Sequence, residues 1–289
     1  MKSKNALGVF ILIGAAVIWG MSFAFQRSGM DYIGPFTFQA TRNILAIAAI
    51  AVVLLVTHKK DAFKFSKETL IAGLCCGILL FLAANVQQIG IMDTTAGKAG
   101  FITAMYIIIV PIVSSIFLKR KPELKIWVAV VIAAVGLYLL CVKEDFTITK
   151  GDLWVLLCAF LFSGHILVTD HFVSKVDPIQ MSLLQFIVAT ALSWVFALTL
   201  ETPQWSAIWD ARVAIIYCGV FSGGVGYTLQ ILGQKYAEPT SASLAMSLES
   251  VFAAIGGWLI LNEVMSGKEL LGAVLMFAAI ILVQIKIKK

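Results

Sequence analysis

Residues 7–26 read LGVFILIGAAVIWGMSFAFQ, twenty residues without a formal charge. A helix rises 1.5 Å per residue, so about 20 apolar residues match the roughly 30 Å of hydrocarbon in a bilayer. Lys2 and Lys4 in front of the run mimic the start of a secretory signal. The run is too long for a signal core, however, and similar runs follow it, so it reads as a first membrane span. The same template gives four more runs in the first half: Pro35–Thr57, Thr69–Ile89, Ala96–Leu118 and Leu124–Val142. The second half supplies Leu153–Phe172, Pro178–Leu200, Val213–Leu232, Thr240–Leu261 and Leu270–Ile287. Runs of this length predict helices rather than the roughly ten-residue alternating strands of a barrel. A helix also satisfies its own backbone where no water is available. The expected fold is therefore an all-α polytopic membrane protein of ten transmembrane helices.

Composition agrees with that solvent. Of 289 residues, 60% are hydrophobic and 13% charged, and the mean hydropathy is +0.95. A soluble domain carries about a quarter charged residues and has too little interior to hide so many apolar ones. This excludes a soluble enzyme, a disordered chain and a secreted disulfide scaffold. The net charge of +6 lies between apolar runs, with no basic groove interleaved with aromatics, so no nucleic-acid partner is expected. Cys75, Cys76, Cys141, Cys158 and Cys218 all sit inside apolar runs without metal-ligand spacing, and read as packing residues. Neither a metal nor a cofactor is implied.

The basic residues also orient the chain. With the N-terminus in the cytoplasm, the inner connections hold Lys2, Lys4, Lys59, Lys60, Lys64, Lys67, Lys119, Arg120, Lys121, Lys125, Lys175, Lys235, Lys286, Lys288 and Lys289. The outer ones hold only Arg27, Lys98, Lys143, Lys150, Arg212 and Lys268, while Arg42 falls inside a run. The excess places both termini in the cytoplasm of a cell that carries the protein in its plasma membrane.

Sliding the chain along itself by 143 residues superimposes all five runs of one half on those of the other. It pairs Gly8 with Gly151, Pro35 with Pro178, Cys75 with Cys218, Gln87 with Gln230 and Gly90 with Gly233. Two units follow, residues 1–146 and 147–289. Five spans per unit is an odd number, so the second unit crosses the membrane upside down. Inverted repeats recur in secondary transporters, where two such halves give inward and outward states of similar energy around one site.

Four segments carry a resemblance: IWGMSF (18–23), GPFTFQATR (34–42), TTAGKAGFITAMYIIIVP (94–111) and SLESVFAAIGGWLILNE (247–263). In order and spacing they resemble the EamA group of the drug/metabolite transporter superfamily, over essentially the whole chain. The resemblance implies ten helices in two inverted five-helix repeats about a central cavity, and export of small metabolites such as amino acids. Glu263 is a helix-end residue typical of that family. Ser250 departs from it, because proline often follows the glutamate there, and the departure implies a straighter ninth helix.

Polar groups inside the runs narrow the site, since each is costly in hydrocarbon. Glu249 lies in the middle of the ninth run among Ala242, Ala245, Ala253 and Gly256. It is a candidate to bind an amine or carry a proton, or else to pin helices together. Its repeat mate is Tyr106. Trp19, Ser22 and Gln26 share one helical face, and the shift turns them into Phe162, His165 and Thr169. His165 is a second candidate for proton coupling, unless it is simply a satisfied buried histidine. Gln87 and Gln230 are mates which, with Asn85 and Tyr227, would gate the path, bind a polar ligand or join helices. The substrate-binding candidates are Trp19, Ser22, Gln87, Tyr106, His165, Tyr227, Gln230 and Glu249, and the coupling candidates are Glu249 and His165. Arg42, about two turns into its run, is expected to snorkel to headgroups or to pair with a neighbour. Gly219, Gly223, Gly224 and Gly226 loosen the eighth helix but do not spell a dinucleotide loop.

Enzymatic readings find no support. His165 and Asp170 spell an H-x4-D pattern, but five residues turn a helix by about 500°, so the two side chains diverge. The expected function is a secondary transporter that moves a small organic solute, amino acid-like or similar, outward by alternating access. Its partners are the bilayer and the solute; the drive is a gradient, either facilitated diffusion or exchange with protons as a further partner, and the oligomeric state is left open. Uptake or antiport of another class such as a nucleotide sugar, or a non-transporting scaffold or sensor, are the alternatives.

Overall fold

A computed structural model describes residues 2–94, 96–117, 119, 122–141, 148–261 and 266–284. Within these the structured elements are helices: α1 (Lys2–Gly29), α2 (Pro35–His58), α3 (Lys67–Met92), α4 (Ala96–Thr103), α5 (Tyr106–Phe117), α6 (Leu124–Cys141) and α7 (Lys150–Val173). The second half holds α8 (Pro178–Leu200), the short α9 (Trp205–Asp210) and α10 (Arg212–Ile216), a π-helical stretch (Tyr217–Gly226), and α11 (Tyr227–Gln234). It ends with α12 (Pro239–Met246), α13 (Glu249–Leu261) and α14 (Gly267–Gln284). Among the described residues, seven helical stretches are long and apolar enough to cross a membrane, and a shorter apolar helix spans Leu124–Leu140. The predicted ninth and tenth runs fall on α12 with α13 and on α14. Glu263, the surroundings of Gly256 and the predicted run ends at Leu118, Val142 and Ile287 lie outside the described residues.

Local chemistry starts these helices where the sequence turns polar. Pro35 and Pro178 open α2 and α8, where a missing N–H costs nothing. Ser66 caps α3 through the Thr69 N–H, and Asp177 caps α8 through the N–H groups of Ile179 and Gln180. Thr149 and Asp152 form a reciprocal capping box on α7, and Asp152 also accepts from Thr94 and pairs with Lys98 at 2.7 Å.

The ninth run is not straight, although Ser250 replaces the family's proline. It breaks at Ser247 and Leu248, where the Leu248 and Ser250 N–H groups bond to carbonyls three residues back. Ser247 Oγ donates to the Leu244 carbonyl and Ser250 Oγ to the Gly100 carbonyl of α4. Such side-chain bonds to backbone favour a tightened turn without any proline. The fourth run breaks in the same way at Ala104 and Met105, 143 residues earlier. Tyr106 and Glu249 are each the first residue after a break.

Packing follows the same offset. Helix α2 lies against α8, its counterpart 143 residues on, and α6 against α14. The contact of α1 with α11 is matched by that of α7 with α3. A Cβ on Gly8 would stand 2.6 Å from the Gly233 carbonyl oxygen, and one on Gly151 would stand 2.5 Å from that of Gly90. The two contacts are offset copies, and both bring backbones together as small residues allow in membranes. Gly8→Leu and Gly151→Leu are each expected to lower stability by about 1–3 kcal/mol, read as a lower melting temperature in detergent.

The helix ends define two faces. At the first, Glu201 at the end of α8 accepts from the N–H groups of Phe36 (2.9 Å) and Thr37 (2.8 Å) at the start of α2. Gln88 near the end of α3 donates to the Gln26 carbonyl near the end of α1 at the same face. At the second face, His58 at the end of α2 meets Asp177 at the start of α8, at 3.2 Å. His58 and Glu201 are themselves 143 apart, so one helix pair is tied at both ends by mated residues.

Candidate functional site

A central cavity of about 40 Å³ lies among α1, α2, α3, α7, α11 and the two broken runs. Trp19, Ser22, Gln87, Tyr106, Tyr227, Gln230 and Glu249 line it, seven of the eight residues expected at the site. Phe23, Gln26, Phe162, Ile166 and Met246 complete much of the wall.

The two helix breaks build its floor. Each exposes the first turn of a new helix to the cavity, and the Tyr106 hydroxyl donates to Glu249 Oε1 at 2.9 Å. Both side chains are buried. The two partners are 143 residues apart, so the bond joins residues that the sequence offset pairs.

Aromatic side chains form one wall. The rings of Trp19 and Tyr227 meet at 4.9 Å with a 59° tilt. Trp19 Nε1 donates to the Ser222 carbonyl at 3.1 Å, within the π-helical stretch. The glycines expected to loosen the eighth helix lie in this π-helical stretch, and Gly219 packs against the Arg42 backbone.

Arg42 departs from the expectation of snorkelling. It is buried and lines the cavity. Gln39 Oε1, one turn earlier, accepts from Arg42 Nε at 2.7 Å. Gln39 in turn donates to the Ala84 carbonyl and to Gln88, and Gln88 donates to the Gln26 carbonyl, so a relay of amides across three helices fixes the guanidinium. Among the described residues no carboxylate pairs with it. The signal for this was the stripe Gln39, Arg42, Asn43 and Ala46, which puts polar side chains on the buried face of α2. Thr103, which accepts from Gln87 Nε2 at 2.9 Å, and Ser222 are further lining residues that the sequence did not single out.

His165 is the expected site residue that does not reach the cavity. It is 0% exposed, with Nε2 at 2.9 Å from Gln185 Oε1. Its ring stands edge-on to Tyr227 at 6.2 Å, so Tyr227 screens it. Asn85 is also turned away, donating to Ser193 and to the Phe81 carbonyl. Gln26 Oε1 and Gln230 Oε1 are buried with no protein donor among the described residues, although both side chains line the cavity. Buried acceptors are normally satisfied, so these two are available to a bound solute.

A second cavity of about 580 Å³ lies toward the second face, with Asp170, Val173, Gln234, Lys235 and Thr240 in its wall. Gln234 Nε2 donates to the Ile166 carbonyl at 2.9 Å and so joins the walls of the two cavities. Among the described residues no group of three His, Cys, Asp or Glu side chains gathers as a metal site would require.

The profile of the EamA-like transporter family matches residues 6–142 and again residues 149–285, start to start at the same offset of 143. The chain belongs to the EamA-like transporter family. An uncharacterized transporter of Archaeoglobus fulgidus is 29% identical, over 94% of this chain and 84% of the relative. The uncharacterized transporter YoaV of Bacillus subtilis is 23% identical over 96% of this chain and 95% of its own. A part of the chain, 33% of it, is 28% identical to an S-adenosylmethionine/S-adenosylhomocysteine transporter of Chlamydia muridarum over 30% of that protein. A crystal structure superposes with a TM-score of 0.80 over 96% of both chains at 14% identity, which shows the shared fold. This EamA-like protein is thus a multi-pass membrane transporter.

Proposed function

We propose that this transporter carries a small zwitterion, amino acid-like in having one carboxylate and one ammonium, through the central cavity by alternating access. The observation that supports this most is the presence of groups of opposite charge in the lining of one cavity. Arg42 offers a buried guanidinium without a carboxylate partner, and Glu249 offers a carboxyl held by a single described donor, Tyr106. A guanidinium fork suits a carboxylate, and a carboxylate in the same cavity suits an ammonium. Trp19, Phe23, Phe162 and Tyr227 surround the remaining space and accommodate an apolar or aromatic side chain.

In this reading, residues 1–146 and 147–289 are inverted repeats, each crossing five times, with both termini in the cytoplasm and export as the physiological direction. Glu249 also carries a proton in exchange for the solute's ammonium, which makes the carrier an antiporter of protons. A matched trio of solutes tests the recognition: an amino acid, its methyl ester and its deaminated acid, in proteoliposome counterflow. The zwitterion is expected to exchange and the two singly charged analogues to fail. Equal exchange of all three would sink the zwitterion reading.

A further inference from the structure

The lining of the central cavity is symmetric in part only. Five mated pairs contribute both members, among them Trp19 with Phe162, Gln87 with Gln230 and Tyr106 with Glu249. Ser22, Gln26, Arg42, Ser222 and Tyr227 line the cavity without their mates; the mates of the first three, His165, Thr169 and Gln185, are polar and each 0% exposed. The first three lie toward the first face, near the end of α1 and the start of α2. Their mates lie toward the second face, near the end of α7 and the start of α8.

The buried trio also carries unfinished hydrogen bonding. His165 Nδ1 and Gln185 Nε2 are buried without a partner among the described residues, although His165 Nε2 and Gln185 Oε1 face each other. Leaving such atoms unpaired in a core is costly and calls for a reason. Packing alone supplies none, since an apolar pair of similar size would avoid the cost. The second cavity begins one residue beyond Thr169, at Asp170 on the same helix.

We propose that His165 and Gln185 form a second polar subsite, closed in this structure, which replaces Ser22 and Arg42 when the cavity turns to the second face. The proposal rests on the alternating access proposed above. When two inverted halves exchange conformations, each residue takes up the environment of its mate. Tyr227 then withdraws from His165, and the unpaired Gln185 Nε2 donates to the solute's carboxylate end, while His165, held through Nε2–H by Gln185 Oε1, offers Nδ1 as an acceptor to the solute's donors. An amide donor stands where the other state has a guanidinium. The same zwitterion is therefore held more weakly from the second face.

Single cysteines read this directly. Ser22→Cys, His165→Cys, Thr169→Cys and Gln185→Cys are exposed to a membrane-impermeant trimethylammonium-ethyl methanethiosulfonate from each face of oriented vesicles. Wild-type protein with its native cysteines gives the background. Ser22→Cys is expected to label from the first face, and the other three from the second face only. Labelling of Ser22→Cys with none at the three mates from either face overturns the proposal, as does labelling of the mates from the first face. In parallel, Gln185→Ala is expected to raise KM about tenfold for solute presented at the second face and to leave KM at the first face unchanged. An equal change at both faces would mark a structural role and also overturn it. The labelling needs no substrate, so failure of the zwitterion reading shows separately, as wild-type protein that exchanges no amino acid.

Discussion

Replacing Arg42 by glutamine is expected to lower zwitterion transport roughly 100-fold, corresponding to about 3 kcal/mol for loss of a desolvated charge pair. The Gln39 amide relay and the cavity wall should survive, because glutamine is shorter and carries no charge to bury. The loss therefore appears in transport while detergent stability changes little or rises. Arg42→Lys separates charge from geometry. A lysine keeps the charge but offers no planar fork, and its ammonium cannot accept the arrangement that Gln39 imposes on Nε, so transport stays well below wild type. Counterflow rates and melting temperatures on the same preparations check both statements. Full transport by Arg42→Gln would remove the carboxylate half of the recognition.

Glu249→Gln is expected to have a comparable effect by a different route. Glutamine preserves shape and can still accept from the Tyr106 hydroxyl, so the floor of the cavity persists. What disappears is the anionic partner for an ammonium and the group proposed to exchange a proton. Transport should fall roughly 100-fold, and the lumenal pH change that accompanies solute flux, followed with a trapped dye, should vanish. Tyr106→Phe removes a single donor to a buried carboxyl, about 2 kcal/mol, and should cost roughly 30-fold with the pH change per solute retained. A pH change of wild-type size in Glu249→Gln would end the coupling role of that residue.

The helical runs and their breaks in the loops were legible because span length and terminal chemistry are local properties of the chain. Pro35, Pro178, Ser66 and Asp177 act on their own helices, and their effects need no knowledge of neighbours. The offset of 143 was legible for a related reason, since a repeated pattern declares itself without any structure. It also paired Tyr106 with Glu249, which the fold brings into direct contact. Arg42 and His165 were misplaced because each side chain's surroundings depend on how its helix is rotated against others, which hydropathy does not encode. Depth alone made Arg42 look like a residue that reaches headgroups, whereas Gln39 turns it inward. His165 shares a helical face with Phe162, yet Tyr227 of another helix stands across it. The break before Glu249 was hidden for a third reason. No proline stands at it, and the Ser247 and Ser250 hydroxyls that bond carbonyls there do not declare a break in the sequence.

The central claim is that a zwitterion crosses by way of the cavity that Arg42 and Glu249 share. Proteoliposomes loaded with the twenty common amino acids, assayed for what leaves with wild-type protein, Arg42→Gln or no protein, test it most directly. The account predicts that at least one neutral amino acid leaves faster with wild type than from empty liposomes, and that Arg42→Gln abolishes the difference. Efflux at the protein-free rate for all twenty, or identical efflux with wild type and Arg42→Gln, would contradict it.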